Sequence, residues 1–227
     1  MTGSTLILDR DAGALFDGHG ARFVARERRW ETIPRRSPLR ASDEGVPEGR
    51  EGSVGERVSL SEAILWLQQD SGHPLREPIG VVGPREATPE QLSAAEGVGA
   101  GLAARGYVTL CGGRQGVMEA ACRGVHASGG IAIGLTPDTD PSLANPYVLI
   151  VLTTGIGEGR NAIVARASHC LIAVGDSHGT LSEVALALHF GKRVFGLAGA
   201  AELPGVVRAA SVDDALERVD RLVLGLS

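Results

Sequence analysis

No apolar run in this chain approaches the roughly 20 residues that a membrane-spanning helix needs, so a soluble protein with no membrane partner is expected. Basic charge is not in excess: 22 Lys and Arg against 27 Asp and Glu give a net charge of −5, the wrong sign for a broad nucleic-acid surface. The one basic concentration, residues 22–40, is interleaved with acids and prolines and reads as a solvated arm. Cysteines are few, Cys111, Cys122 and Cys170, with no metal-ligand spacing and no cleavable leader before them. That pattern predicts a reducing cytoplasm and thiols that pack as small hydrophobes, with no metal. His169 and His189 lie among apolar positions and read as structural, and the carboxylates of Thr136-Pro137-Asp138-Thr139-Asp140 lack further metal-type partners. A Walker A sequence and a strict G-x-G-x-x-G are both absent, so ATP hydrolysis and dinucleotide redox chemistry lack their sequence marks.

What remains is enough for a core. At 227 residues and 43% hydrophobic composition the chain holds one α/β domain of ordinary size plus an appendage. Within residues 6–30, Leu6-Ile7-Leu8 and Ala21-Arg22-Phe23-Val24 are parted by the turn formers Asp17-Gly18-His19-Gly20, which predicts a small β-hairpin. Residues 34–57 mix proline, glycine and alternating charge with few apolar side chains, and read as a linker. Ser59-Leu60-Ser61-Glu62 then matches a capping box ahead of Ala63, Ile64, Trp66 and Leu67, predicting a short amphipathic helix packed on the main domain.

After Pro78 strand and helix alternate. Ile79-Gly80-Val81-Val82-Gly83 is a buried-strand run, and Thr88-Pro89-Glu90-Gln91 opens a helix with Leu92, Ala95, Gly99, Leu102 and Ala103 as its inner stripe. Strands follow at 107–111, 131–135, 148–152, 171–174 and 194–197, with helices at 115–128, 157–168, 180–190 and 212–224 between and after them. Continuous apolar strands joined by helices make a parallel sheet covered on both faces. Ligands of such sheets sit at the carboxyl ends of the strands. Two strand-to-helix connections there are glycine-marked, Cys111-Gly112-Gly113-Arg114-Gln115-Gly116-Val117-Met118-Glu119 and Gly175-Asp176-Ser177-His178-Gly179-Thr180. Glycines at such turns let backbone N–H groups converge on an anion at a helix N-terminus.

These residues, from about Pro78 onward, resemble the LOG (Lonely Guy) family, once labelled "possible lysine decarboxylase", and especially its bacterial branch similar to molybdenum cofactor carrier proteins. The family motif P-G-G-x-G-T-x-x-E falls on Gly175-Asp176-Ser177-His178-Gly179-Thr180-Leu181-Ser182-Glu183. The upstream arginine falls on Arg160, the first glycine loop on Gly112 to Met118, and a G-G-x-x-x-G-x-x-P segment on Gly129 to Pro137. The resemblance implies a Rossmann-like doubly wound parallel sheet over residues 76–227, with residues 1–75 as a small N-terminal extension. Members of known activity cleave the N-glycosidic bond of nucleoside 5′-monophosphates, releasing base and ribose 5-phosphate. By resemblance Glu183 is the carboxylate beside the anomeric carbon and Arg160 an electrostatic clamp, because the transition state of such a cleavage resembles an oxocarbenium ion. Ligand contacts are implied for Gly83, Gly112, Gly113, Arg114, Gly116, Met118, Asn161, Gly175, Asp176, Ser177, His178, Gly179 and Thr180, with Arg166 facing solvent. No cofactor is required in that reading, and the resemblance implies a homodimer or larger homo-oligomer. For self-association the chain itself offers only the Ala- and Leu-rich helix at 181–188.

Two departures support an alternative, a non-catalytic carrier for a phosphorylated pterin or nucleotide such as molybdenum cofactor as cargo. Asp176 and Ser177 replace the motif glycines, and a carboxylate about 4 Å from a phosphate at an effective dielectric near 20 costs about 4 kcal/mol. A protonated His178 would offset that charge. Asn161 stands where the hydrolases carry lysine. A third reading, a partner-binding module, has only residues 1–75 and their linker behind it.

Overall fold

The computed structural model describes residues 5–32 and 55–226, which divide into two compact units. One takes in the residues up to Pro74 together with those from Arg221 onward; the other runs from Leu75 to Asp220.

In the first unit, β1 (Leu6–Asp9), β2 (Ala14–Asp17), β3 (Ala21–Val24) and β4 (Arg29–Thr32) form an antiparallel meander, and β5 (Glu56–Val58) pairs with the free side of β1. The expected turn is present, but it joins β2 to β3 and not the 6–8 run to the 21–24 run. Asp17 closes it by accepting from the backbone N–H groups of His19 at 2.9 Å and Ala21 at 2.8 Å. Three strands escaped the sequence reading. Leu15 and Phe16 of β2 lie too close to the turn to stand out, β4 places Trp30 among charges, and β5 falls within the expected linker. Residues 34–54 of that linker lie outside the described residues. The basic stretch is no arm where it is described: Arg29 belongs to a strand and pairs with Glu27 and Glu31 at 2.5 Å each. The capping box forms, with the Glu62 N–H donating to Ser59 Oγ at 3.3 Å and the Ser59 N–H to Glu62 Oε2 at 2.7 Å. Helix α1 (Leu60–Gln69) lies against β1, burying Ala63, Ile64, Trp66 and Leu67.

The second unit is α/β. Its elements are β6 (Ile79–Val82), α2 (Pro89–Ala104), β7 (Thr109–Cys111), α3 (Val117–Ala127), β8 (Ala132–Thr136), β9 (Ile150–Thr153), α4 (Arg160–Ala167), β10 (Cys170–Val174), α5 (His178–His189), β11 (Arg193–Leu197) and β12 (Val206–Arg208). Helix α6 (Val212–Val223) ends past the unit boundary. The seven strands are all parallel, in the order β12-β11-β10-β6-β7-β8-β9. From β6 the chain steps outward to β9, then returns to the other side of β6 and steps outward again to β12. Right-handed crossovers therefore place α2 and α3 on one face and α4 and α5 on the other, the doubly wound arrangement expected from the sequence. The fully buried Ile79, Val81, Val82, Leu171, Ile172 and Val174 stabilise the centre of the sheet by about 1.5–3 kcal/mol each. Helices α2 and α3 touch backbone to backbone, since a Cβ on Gly99 would lie 2.0 Å from Ala121 O and one on Gly124 2.0 Å from Glu96 O.

Boundaries shift modestly. Strand β9 starts two residues late because Val148 is held in a turn by its bond to Asn145 O. The helix expected over 157–168 is a 3-10 turn, Gly157–Gly159, followed by α4. Val98 joins the buried stripe of α2, while Leu92 and Ala103 are only half-buried. Among the described residues no helix is long and apolar enough to cross a membrane, and the three cysteines are buried and free.

Candidate functional site

Strands β6 and β10 are neighbours in the sheet but leave for opposite faces, so their carboxyl ends open a crevice. Val82 pairs with Ala173, so Gly83 leaves β6 beside Val174, the last residue of β10 before Gly175. A Cβ on Gly83 would meet both Val174 O and Val117 Cγ1 at 2.5 Å, so only glycine lets the β6 loop lie this close. The resulting cleft, about 590 Å³, is lined by Gly83, Pro84, Arg85 and Glu86 after β6, Met118 of α3, Glu158, Arg160 and Asn161 around the start of α4, and 176–180 with Glu183 on α5. The first turns of α3, α4 and α5 all reach this cleft, and helix N-termini attract anions.

Arg160 is the first residue of α4 and Glu183 lies in the second turn of α5; these two helices pack together. Their side chains, 5% and 7% exposed, meet through Arg160 Nη1 donating to Glu183 Oε1 at 3.1 Å. Burial raises the Glu183 carboxyl from its ordinary value to about 7; the Arg160 charge opposes that rise and the Glu158 charge adds to it. Burial outweighs the ion pair. The guanidinium lies against Gly112, where a Cβ would come within 2.3 Å of Arg160 Nη1. Next to it Asn161, 4% exposed, donates from Nδ2 to Ser182 Oγ at 2.7 Å. Two polar atoms of this buried wall, Arg160 Nε and Asn161 Oδ1, have no partner.

Ten of the expected site residues therefore line one cleft: Gly83, Met118, Asn161, Arg160, Asp176, Ser177, His178, Gly179, Thr180 and Glu183. The other five stand behind its walls. Gly112 supports Arg160; Gly113, at φ +70°, lies against Gly134 and Thr136; Gly116, at φ +71°, lies under the carbonyls of Pro84 and Arg85; Gly175, at φ +68°, lies under Gln91. Arg114 turns away to pair with Asp138. The first glycine loop is thus a buttress, because its left-handed glycines are taken up by backbone contacts. Ser177 caps α5, accepting from the Thr180 N–H at 3.1 Å. Asp176 and His178 are both solvent-exposed, so water screens the carboxylate and its repulsion of a phosphate falls toward the about 1 kcal/mol expected in water. Four lining residues were missed from sequence: Pro84, Arg85, Glu86 and Glu158. Arg85 and Glu158 pair at 3.6 Å, both mostly exposed. Their signal was position alone, directly after the first strand and before Arg160.

Arg166 is exposed and lies over the Phe190 ring, 5.0 Å from its centroid. His169 contacts Glu77 at 3.0 Å, whereas His189 is exposed at the end of α5 with its ring 5.7 Å from that of Phe190. Asp140 caps the 3-10 turn Pro141–Leu143, and no metal-type cluster occurs among the described residues. Helix α5 has no large exposed apolar side chain; Leu186 and Leu188 pack on the core, and Ile131, Leu143, Leu149, Ile150, Leu152, Ile156 and Ile163 carry the exposed apolar surface instead. A second, larger cavity of about 920 Å³ opens where β11 and β12 end, lined mainly by small and aliphatic residues such as Ala198, Leu203 and Val206. Its charges include no buried pair: Glu202 and Arg208 bond each other in solvent, 83% and 84% exposed.

A doubly wound sheet with a cleft at its switch point, faced by helix N-termini and a buried Arg–Glu pair, defines a class of α/β small-molecule-binding proteins. Within that class the chain belongs to the SLOG cluster4 family, whose LDcluster4 model matches residues 76–222. It is similar to the molybdenum cofactor binding protein of the phototrophic bacterium Rippkaea orientalis, at 37% identity over 66% of this chain and 99% of that one, with a TM-score of 0.62. The molybdenum cofactor carrier protein of Chlamydomonas reinhardtii is similar at 38% identity over 66% of this chain and 100% of that one, with a TM-score of 0.61. An uncharacterized protein of Archaeoglobus fulgidus is 40% identical over 52% of this chain and 78% of its own length. The carrier-like LOG resemblance read from the motifs is thereby borne out.

Proposed function

We propose that the cleft between β6 and β10 binds a phosphorylated heterocycle of the pterin or nucleotide type and holds it intact, with molybdenum cofactor as the leading cargo. The observation that carries this reading is the closed Arg160–Glu183 pair at 3.1 Å with Asn161 beside it. A carboxylate already tied to arginine is a poor electrostatic partner for an oxocarbenium ion, while the arginine, Asn161 and the α5 N-terminus together offer the mixed donors and acceptors a heterocycle with a phosphate needs. The identity with the two molybdenum cofactor proteins adds weight. Pterin recovered from denatured protein, with no free base released from a panel of nucleoside monophosphates, is the expected result. Base release that stops in both Glu183→Gln and Arg160→Ala would overturn it.

That second outcome defines the hydrolase reading, which one observation favours. A carboxyl titrating at about 7 in a cleft is matched to general acid or base work near neutral pH. Self-association through the edge strand β9 is part of the proposal, since Ile150 and Leu152 on it and Leu149 and Ile156 flanking it are exposed. Sedimentation of Leu152→Glu should show a smaller species than the wild type.

A further inference from the structure

The orientation of one side-chain amide fixes which part of the ligand meets α4. Ser182 Oγ lies 2.8 Å from Gly179 O and 2.7 Å from the Asn161 amide. A serine hydroxyl has one proton, and a carbonyl oxygen can only accept, so that proton is committed to Gly179. Toward Asn161 the hydroxyl can then act only as an acceptor, and it must face the NH2 group. With the amide turned the other way, two oxygens would face each other at 2.7 Å with no proton between them. Asn161 Oδ1 is therefore the free atom: buried, without a partner, and on a residue that lines the cleft.

A buried carbonyl oxygen without a partner costs free energy that a ligand can recover, but only a ligand that donates. A phosphate near neutral pH offers mainly acceptor oxygens, which would repel Oδ1. We infer that Asn161 is a specificity-determining residue that selects ligands presenting an N–H or O–H donor at the α4 wall, and that it keeps the phosphate away from that wall. The inference rests on the ligand class proposed above. Arg160 Nε, the neighbouring buried donor without a partner, suits an acceptor on the same ligand. Two groups supply such a donor, a ring amino or lactam N–H and a sugar-type hydroxyl.

Calorimetric titration of neopterin monophosphate, ribose 5-phosphate and inorganic phosphate into the full chain and into Asn161→Ala separates these cases. Weakening of neopterin monophosphate alone, by roughly three- to tenfold, identifies a donor on the pterin or its side chain; equal weakening of ribose 5-phosphate identifies a sugar-type hydroxyl. Either result supports the inference, provided inorganic phosphate binds as well as before or more tightly. Ser182→Ala removes the acceptor that holds the amide, so it should reduce discrimination against inorganic phosphate without loss of fold. Unchanged affinity for both organic probes in Asn161→Ala, or weakened inorganic phosphate, would overturn the inference while leaving the ligand class standing. Failure of both organic probes to bind the wild type would overturn both.

Discussion

Two buried acids of the α/β unit, Asp220 and Glu183, are paired with arginine in different ways. Asp220, fully buried, uses both oxygens: Arg105 Nε donates to one at 2.7 Å and the Tyr107 hydroxyl to the other at 3.2 Å. Glu183 receives Arg160 on one oxygen only, and the wall around it keeps an orphaned donor and an orphaned acceptor. Burial raises both acids, Asp220 to about 6 and Glu183 to about 7. The matched pair ties α2 and the start of β7 to α6 and lines neither cavity. The unmatched pair lines the switch-point cleft. Between these two pairs the difference lies in leftover hydrogen-bonding capacity more than in charge or burial.

The comparison breaks most visibly at Arg105. Arg105→Ala leaves Asp220 buried without its cation and should cost about 3 kcal/mol in denaturant unfolding, with ligand affinity of the folded protein unchanged. Gly112→Ala should do the reverse. Its new Cβ displaces the guanidinium from Glu183, so affinity for a phosphorylated pterin falls by on the order of 2 kcal/mol, while the unfolding midpoint moves far less. The pH dependence sharpens the contrast further. Both acids hold their protons more tightly folded than unfolded, so the stability they contribute is fully present below their ordinary values of 3.8 and 4.5. It is lost as pH rises through about 6 for Asp220 and about 7 for Glu183. Glu183→Gln should remove the later decline, at most about 1.4 kcal/mol per pH unit, and leave the earlier one. Smallest is Tyr107→Phe, which frees one Asp220 oxygen and should cost about 1 kcal/mol with no effect on binding.

Much of this arrangement was legible in the sequence. The alternation after Pro78 gave the parallel sheet, because strands buried on both faces are apolar throughout, and the capping boxes at Ser59 and Thr88 located two helix starts. The motif register brought Arg160, Asn161 and Glu183 together correctly. Glycine, however, looks the same whether it lines a cleft or stands behind its walls, so Gly112, Gly113, Gly116 and Gly175 could not be told from Gly83. Arg114 likewise gave no hint that Asp138 would claim it. Short edge elements such as β4, β5 and β12 were missed because strands of three or four residues with mixed polarity leave no periodic trace. The unpartnered atoms of Arg160 and Asn161 depend on where Ser182 and Gly179 fall in three dimensions, and sequence spacing carries no such information.

The most direct test follows the two carboxyls themselves. Carbon-13 NMR of carboxyl-labelled protein, with Glu183→Gln and Asp220→Asn used for assignment, reports each titration with and without neopterin monophosphate. We predict that the Glu183 midpoint, near 7 in the free protein, moves upward on binding, because the ligand excludes water and brings a negative phosphate. The Asp220 midpoint near 6 should stay in place. A ligand that saturates the protein while leaving Glu183 unmoved, or that shifts Asp220 instead, would contradict the assignment of the Arg160–Glu183 cleft as the binding site.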